Sequence, residues 1–143
     1  MRFIRLIPLL ILALLATSCN EDSADPITRA ENAVSDKDYD LAQTIADSII
    51  GGKNFTSLGT TQLCRTALVY ARLSEHREQD ANMGAAALCM RRASELNIDS
   101  VEIFVQQLEM PDQAIIDMPR KLGNVTQYEL IPDEQTDSTV YGE

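Results

Sequence analysis

Two thiols, one imidazole and a crowd of carboxylates are the residues here that could do chemistry. Cys64 and Cys89 are 25 positions apart. On the two arms of a helical hairpin turning near Arg77, Cys64 would face about residue 90; a turn near Gln79 moves that to about residue 94. A bridge needs Cα atoms within about 7 Å and would add roughly 3 kcal/mol in the chain-entropy picture. The other reading is two small apolar core residues. There is no C-x-x-C, which argues against a redox site. His76 is the single histidine. Any Ser–His or Cys–His nucleophile would need it, yet it lies in the polar run Glu75–Gln79, where an exposed side chain is expected. Zinc asks for several His or Cys ligands, and no such set is present.

The acids alternate in Asp36-Lys37-Asp38-Tyr39-Asp40. A calcium loop would need Gly at the sixth place and Glu at the twelfth; Leu41 and Asp47 stand there. Gly51-Gly52-Lys53 lacks the earlier Gly and the following Ser or Thr of a phosphate loop, so it reads as a helix stop. No nucleophile, base and oxyanion donor assemble in sequence. The expectation is therefore no catalysis, no cofactor and no metal. Arg65 and Arg72 are seven apart, so they share one face of a helix. They could receive an acidic partner, the chain's own tail, or only water.

These residues must be positioned by elements that the chain punctuates clearly. At the start, Arg2 and Arg5 precede an apolar run, Leu6–Leu15, too short to span a bilayer. Ala16-Thr17-Ser18 are small, and Cys19 follows. This resembles a bacterial lipoprotein signal, with Ala16 where that motif has Leu, Val or Ile. The resemblance implies a signal peptide over 1–18, a diacylated Cys19 and a membrane anchor through lipid. An ordinary secretory signal cut near Ser18 is the alternative. Acyl chains contribute ~0.8 kcal/mol per buried CH₂, so several of them hold where one is marginal. Residues 19–26 form an acidic tether. Asn20-Glu21-Asp22-Ser23-Ala24-Asp25 resembles the surface-export signal of Bacteroidota-type lipoproteins, which implies an outer-membrane address, periplasmic or surface-exposed. Asp-Ser-aliphatic triplets resemble O-glycosylation sites of the same envelope proteins. Ser23 is one. Asp47-Ser48-Ile49, Asp99-Ser100-Val101 and Asp137-Ser138-Thr139 are the others; Ser23 and Ser138 fall in segments read as flexible and are the candidates, whereas Ser48 falls in an expected helix and Asp99-Ser100 suits a cap.

The chain holds 12 Lys+Arg against 22 Asp+Glu, and losing Arg2 and Arg5 takes the net charge from −10 to −12. Phosphate backbones require cationic side chains, so nucleic acid is excluded as a partner. Anionic membrane surfaces are excluded as a peripheral site by the same sign. With no Trp and few aromatics, the core must come from Leu, Ile, Val, Ala and Met, a composition suited to packed helices.

Periodicity predicts an all-α fold of antiparallel helical hairpins over 27–110. Helices are expected over about 27–35, 39–50 and 60–75. A fourth is capped by Asp80 and carries Met83, Ala86, Ala87, Met90, Ala93 and Leu96. A fifth is capped by Asp99 or Ser100, shows Val101, Phe104, Val105 and Leu108, and ends at Pro111. The second helix should bury Leu41, Ile45 and Ile49; the third should bury Leu63, Cys64, Ala67, Leu68, Tyr70 and Ala71. Residues 111–132 read as an irregular extension, with a short strand or docking segment at Gln127–Ile131. Residues 133–143 read as a disordered acidic tail. The hairpin succession, with Asp38-Tyr39-Asp40-Leu41-Ala42 opening a second helix and Ala86 followed by Ala93, resembles the tetratricopeptide family; a plain small bundle is the alternative. The 44-residue spacing from Ala42 to Ala86 exceeds that family's repeat. The resemblance implies a protein- or peptide-binding groove. The expected function is a lipid-anchored envelope protein that binds a protein or peptide, or else a structural accessory subunit of an envelope complex.

Overall fold

Capping chemistry sets the first hairpin. The computed structural model describes residues 24–124, and the segments read as a signal peptide (1–18), a strand or docking segment (Gln127–Ile131) and an acidic tail (133–143) lie outside them. Helix α1 spans Pro26–Ser35, with Asp25 as N-cap accepting from the Thr28 amide at 3.4 Å and Pro26 at the first turn, where its missing N–H is not needed. It buries Ile27, Ala30, Ala33 and Val34. The chain then reverses through Lys37, held at φ 62°, while the Lys37 and Asp38 amides donate to the Val34 and Ala33 carbonyls. Asp38 caps helix α2, Tyr39–Ile50, accepting from the Leu41 amide at 3.1 Å. Ala42, Ile45 and Ala46 are buried there, whereas Leu41 is 46% exposed and leaves the core expected for it.

A short 3₁₀ turn, Phe55–Ser57, leads to α3, Thr60–Ser74. Gln62 Oε1 accepts from the Gly59 amide at 3.0 Å, half of a capping box. Helix α3 is the hub. Leu63, Cys64, Ala67, Leu68, Val69, Tyr70, Ala71 and Leu73 are all buried, so almost every side of it is covered. It pairs with α4, Gln79–Gln107, in the second hairpin, and α1 and α2 pack on its other side.

Helix α4 starts two residues earlier than a cap at Asp80 predicts. Glu78, at φ 34°, makes the turn, and buried Asn82 ties it by donating from Nδ2 to the Arg77 carbonyl at 2.8 Å. The fourth and fifth predicted helices are the two halves of α4, joined at a kink where Asn97 is extended. Asn97, not Asp99 or Ser100, is the internal cap, accepting from the Ser100 amide at 2.9 Å. Ala86, Met90, Ala93 and Val101 are fully buried, while Leu96 is 45% exposed.

The irregular extension expected from residue 111 is corrected over its first part. Met110–Asn124 is a regular helix, α5, packed on α4 and α3. Pro111 does not end a helix; it opens one in the first turn, where proline is tolerated. Pro119 sits inside α5 and is buried with Ile116 and Gly123. Among the described residues the fold is all-helical, five helices as two hairpins plus α5.

Candidate functional site

Both arginines offered as partner-binding residues are engaged within the fold. Arg65 donates to Glu31 of α1 through Nε (2.8 Å) and Nη2 (2.6 Å), and Nη2 also meets Thr28 Oγ1 at 2.8 Å. Its Nη1 lies 3.4 Å from Asp25. Arg72 grips Asp112 of α5 in the same two-pronged way, at 3.0 and 2.6 Å. The planar guanidinium fork matches a carboxylate bidentately. The shared helix face is real, but its two forks are turned to α1 and α5 and staple α3 to both. Arg65 and Arg72 are thus engaged in internal pairs rather than only with water.

The thiols come together without bonding. The turn centred between His76 and Arg77 brings Cys64 and Cys89 into one core cluster, both fully buried and both free. The bridge considered between them is thus not formed in this structure. Burial pushes the Cys64 thiol up to about 11. Cys89 is pushed up to about 12, by burial first and then by the neighbouring Cys64. A thiol so placed is a poor nucleophile, since the thiolate is the reactive form. Tyr70 is another buried group; its hydroxyl donates to Asp47 at 2.8 Å, and burial followed by that bond raises its pKa. His76 is exposed, as expected, and stacks on Tyr39 with ring centroids 4.3 Å apart. Arg77 beside it pairs with Asp40. Among the described residues no group of three or more His, Cys, Asp or Glu side chains is arranged to hold a metal. No helix among them is long and apolar enough to cross a membrane. Cys19, Ser23 and Ser138 lie outside the described residues.

Concave surfaces also lie among the described residues. A smaller one, about 280 Å³, lies where α1 begins, between Asp25, Ile27, Ile49, Lys53 and Leu58. The larger, about 550 Å³, runs between the α3–α4 turn and α5, lined by Ser74, Glu75, Gln79, Met83, Ala114, Ile115 and Met118. On α5 the lining residues Ala114 and Met118, and Leu122 one turn beyond the lining, recur every four residues and are all exposed. Apart from Met83, expected only as core, none of these residues is suggested by sequence reading. Their spacing was there to be seen, but Pro111 and Pro119 read as breaks and hide a helical period. Comparison of the chain with protein families, with curated proteins and with solved structures finds no match.

Proposed function

We propose that this chain is a lipid-anchored protein of the bacterial envelope whose helical hairpins serve as a docking module for another polypeptide. One observation carries the docking half: α5 has an uncovered apolar stripe, with Met118 57% and Leu122 46% exposed, and Met118 lines a groove. Exposed apolar stripes of this kind mark interaction surfaces. The anchor half is supported by the signal-like sequence ending at Cys19. The interior chemistry favours binding over turnover, because burial disfavours the thiolates and Arg65 and Arg72 are engaged in internal pairs.

A second reading, the accessory subunit of a larger complex, is favoured by the further exposed residues Leu41, Leu88, Leu96, Ile98 and Ile103. Affinity purification from solubilised membranes separates the two. A docking module should release its partner on dilution or at raised salt. An accessory subunit should stay in one assembly of fixed stoichiometry through both. Recovery as a lone monomer from cross-linked cells would overturn both readings.

A further inference from the structure

Helix α5 is apolar over a wider arc than it buries. Ile116, Pro119 and Gly123 face α4 and the hub, and Ala114, Met118 and Leu122 carry the apolar surface on around the helix into solvent. A fully flanked helix in the same molecule, α3, exposes nothing comparable. Met83 of α4 forms the opposite wall of the groove, and Glu75 lines it beside Gln79. Glu75 and its near neighbours Glu78 and Asp80 take part in no ion pair among the described residues.

We propose that this groove docks an amphipathic helix of a different protein, with an apolar stripe of Leu, Met or Ala type flanked by Lys or Arg. The proposal rests on the polypeptide-binding reading above and names its site and its partner's chemistry. Helical shape follows from the wall, whose side chains recur every four residues and offer ridges for another helix to pack into. Among the described residues there is no sheet edge that an extended peptide could join. Charge selects the source. A second copy would bring a net −10 against −10. The chain's own segment after Lys121 contains five acids and no Lys or Arg, so it would meet Glu75 as a like charge. An anionic lipid surface is disfavoured for the same reason. A basic amphipathic helix satisfies both the apolar wall and the Glu75 carboxylate that lines it.

The test is fluorescence anisotropy on the full chain with a labelled Leu/Lys amphipathic peptide of about 15 residues, the length of α5. A Leu/Glu twin serves as the charge control. The expected result is one-to-one binding of the Leu/Lys peptide alone, weakening as salt rises. Met118→Ser with Leu122→Ser should weaken it about tenfold or more through lost apolar burial. Glu75→Gln should weaken it several-fold and flatten the salt dependence, while Ile103→Ser, exposed but outside the groove lining, should leave it unchanged. Circular-dichroism melts confirm that each variant folds. Equal binding of the Leu/Glu twin, or indifference to Met118→Ser with Leu122→Ser, overturns the proposal. So does a dimer that Met118→Ser dissolves, a gain in affinity from Leu130→Ser that exposes the chain's own tail as occupant, or Met118-dependent uptake onto anionic phospholipid vesicles. A natural partner that co-purifies equally with wild type and the double Ser variant overturns this site while leaving the binding reading standing.

Discussion

Single side chains in this molecule are mostly committed to holding it together. The Arg72–Asp112 pair is half-buried and two-pronged, unlike a solvated surface pair that contributes little. Arg72→Glu should therefore destabilise by about 1–3 kcal/mol, because it sets a like charge against Asp112 and frees α5. In a double-mutant cycle, Arg72→Ala and Asp112→Ala should be non-additive by about 1 kcal/mol. Additive urea midpoints would show that the pair is ornamental. The thiols make a pH-dependent contribution of definite sign. Their folded pKa values, about 11 and about 12, lie above the ordinary value of 9.0. Between these limits the unfolded chain sheds thiol protons that the folded chain keeps. Unfolding is thus favoured as pH rises, at up to about 1.4 kcal/mol per pH unit for each thiol. The benefit is fully present below pH 9 and is lost on approach to the folded values. Cys64→Ala with Cys89→Ala should flatten the decline in melting temperature between pH 9 and 11 relative to wild type. Parallel declines would place the thiols nearer to water. The sequence showed that Arg65 and Arg72 share a face, and it placed both cysteines on one hairpin. It was silent on what that face meets, because Glu31 and Asp112 come from elements 34 and 40 residues away.

At the scale of elements, legibility followed local chemistry. Helices α1, α2 and α3 were readable nearly to the residue because Pro26, Asp36-Lys37-Asp38 and Gly51-Gly52 punctuate them. Helix α5 was missed because proline is read as a breaker, yet its position decides its effect: Pro111 occupies the first turn, and Pro119 is accommodated by burial against the core. Likewise Asn97 joins two predicted helices into one kinked element, a choice that depends on tertiary packing. Two substitutions probe the seams. Lys37 adopts φ 62° at an exposed turn. Lys37→Gly should relieve the Cβ strain of that left-handed conformation and raise stability by about 1 kcal/mol. Gly123 is the opposite case. A Cβ there would come within 2.7 Å of the Ala87 carbonyl and 2.9 Å of the Arg91 amide, both backbone atoms that cannot turn aside. Gly123→Ala should cost about 1–3 kcal/mol and pry the end of α5 from α4. Hydrogen exchange would then show faster amides in α5 while α1 to α3 keep their protection. Unchanged exchange would mean that the two helices separate at no cost.

At the scale of the whole molecule, the helical body was legible in the sequence in part. All-helical hairpins were legible because a 3.6-residue apolar period is a property of neighbouring residues. The groove was not, since it arises where Met83 of α4 meets Met118 of α5 across 35 positions. The excess of acid explains why internal pairing is so thorough: with only 12 cationic residues in the whole chain, most arginines are drawn to nearby carboxylates. What is left outside is an acidic body that anionic headgroups repel, so surface charge cannot hold it at a membrane. Under the proposed anchor, attachment would come from acylation at Cys19. Cys19→Ala should move the protein from the membrane pellet to the soluble fraction, and raising salt should not reproduce that release in the wild type, because buried acyl chains are insensitive to screening. Metabolic labelling with a fatty acid should mark the wild type alone. Equal labelling of both, or wild type washed from membranes by salt, would replace the lipid anchor with an ordinary secretory leader and leave the helical body to act in solution.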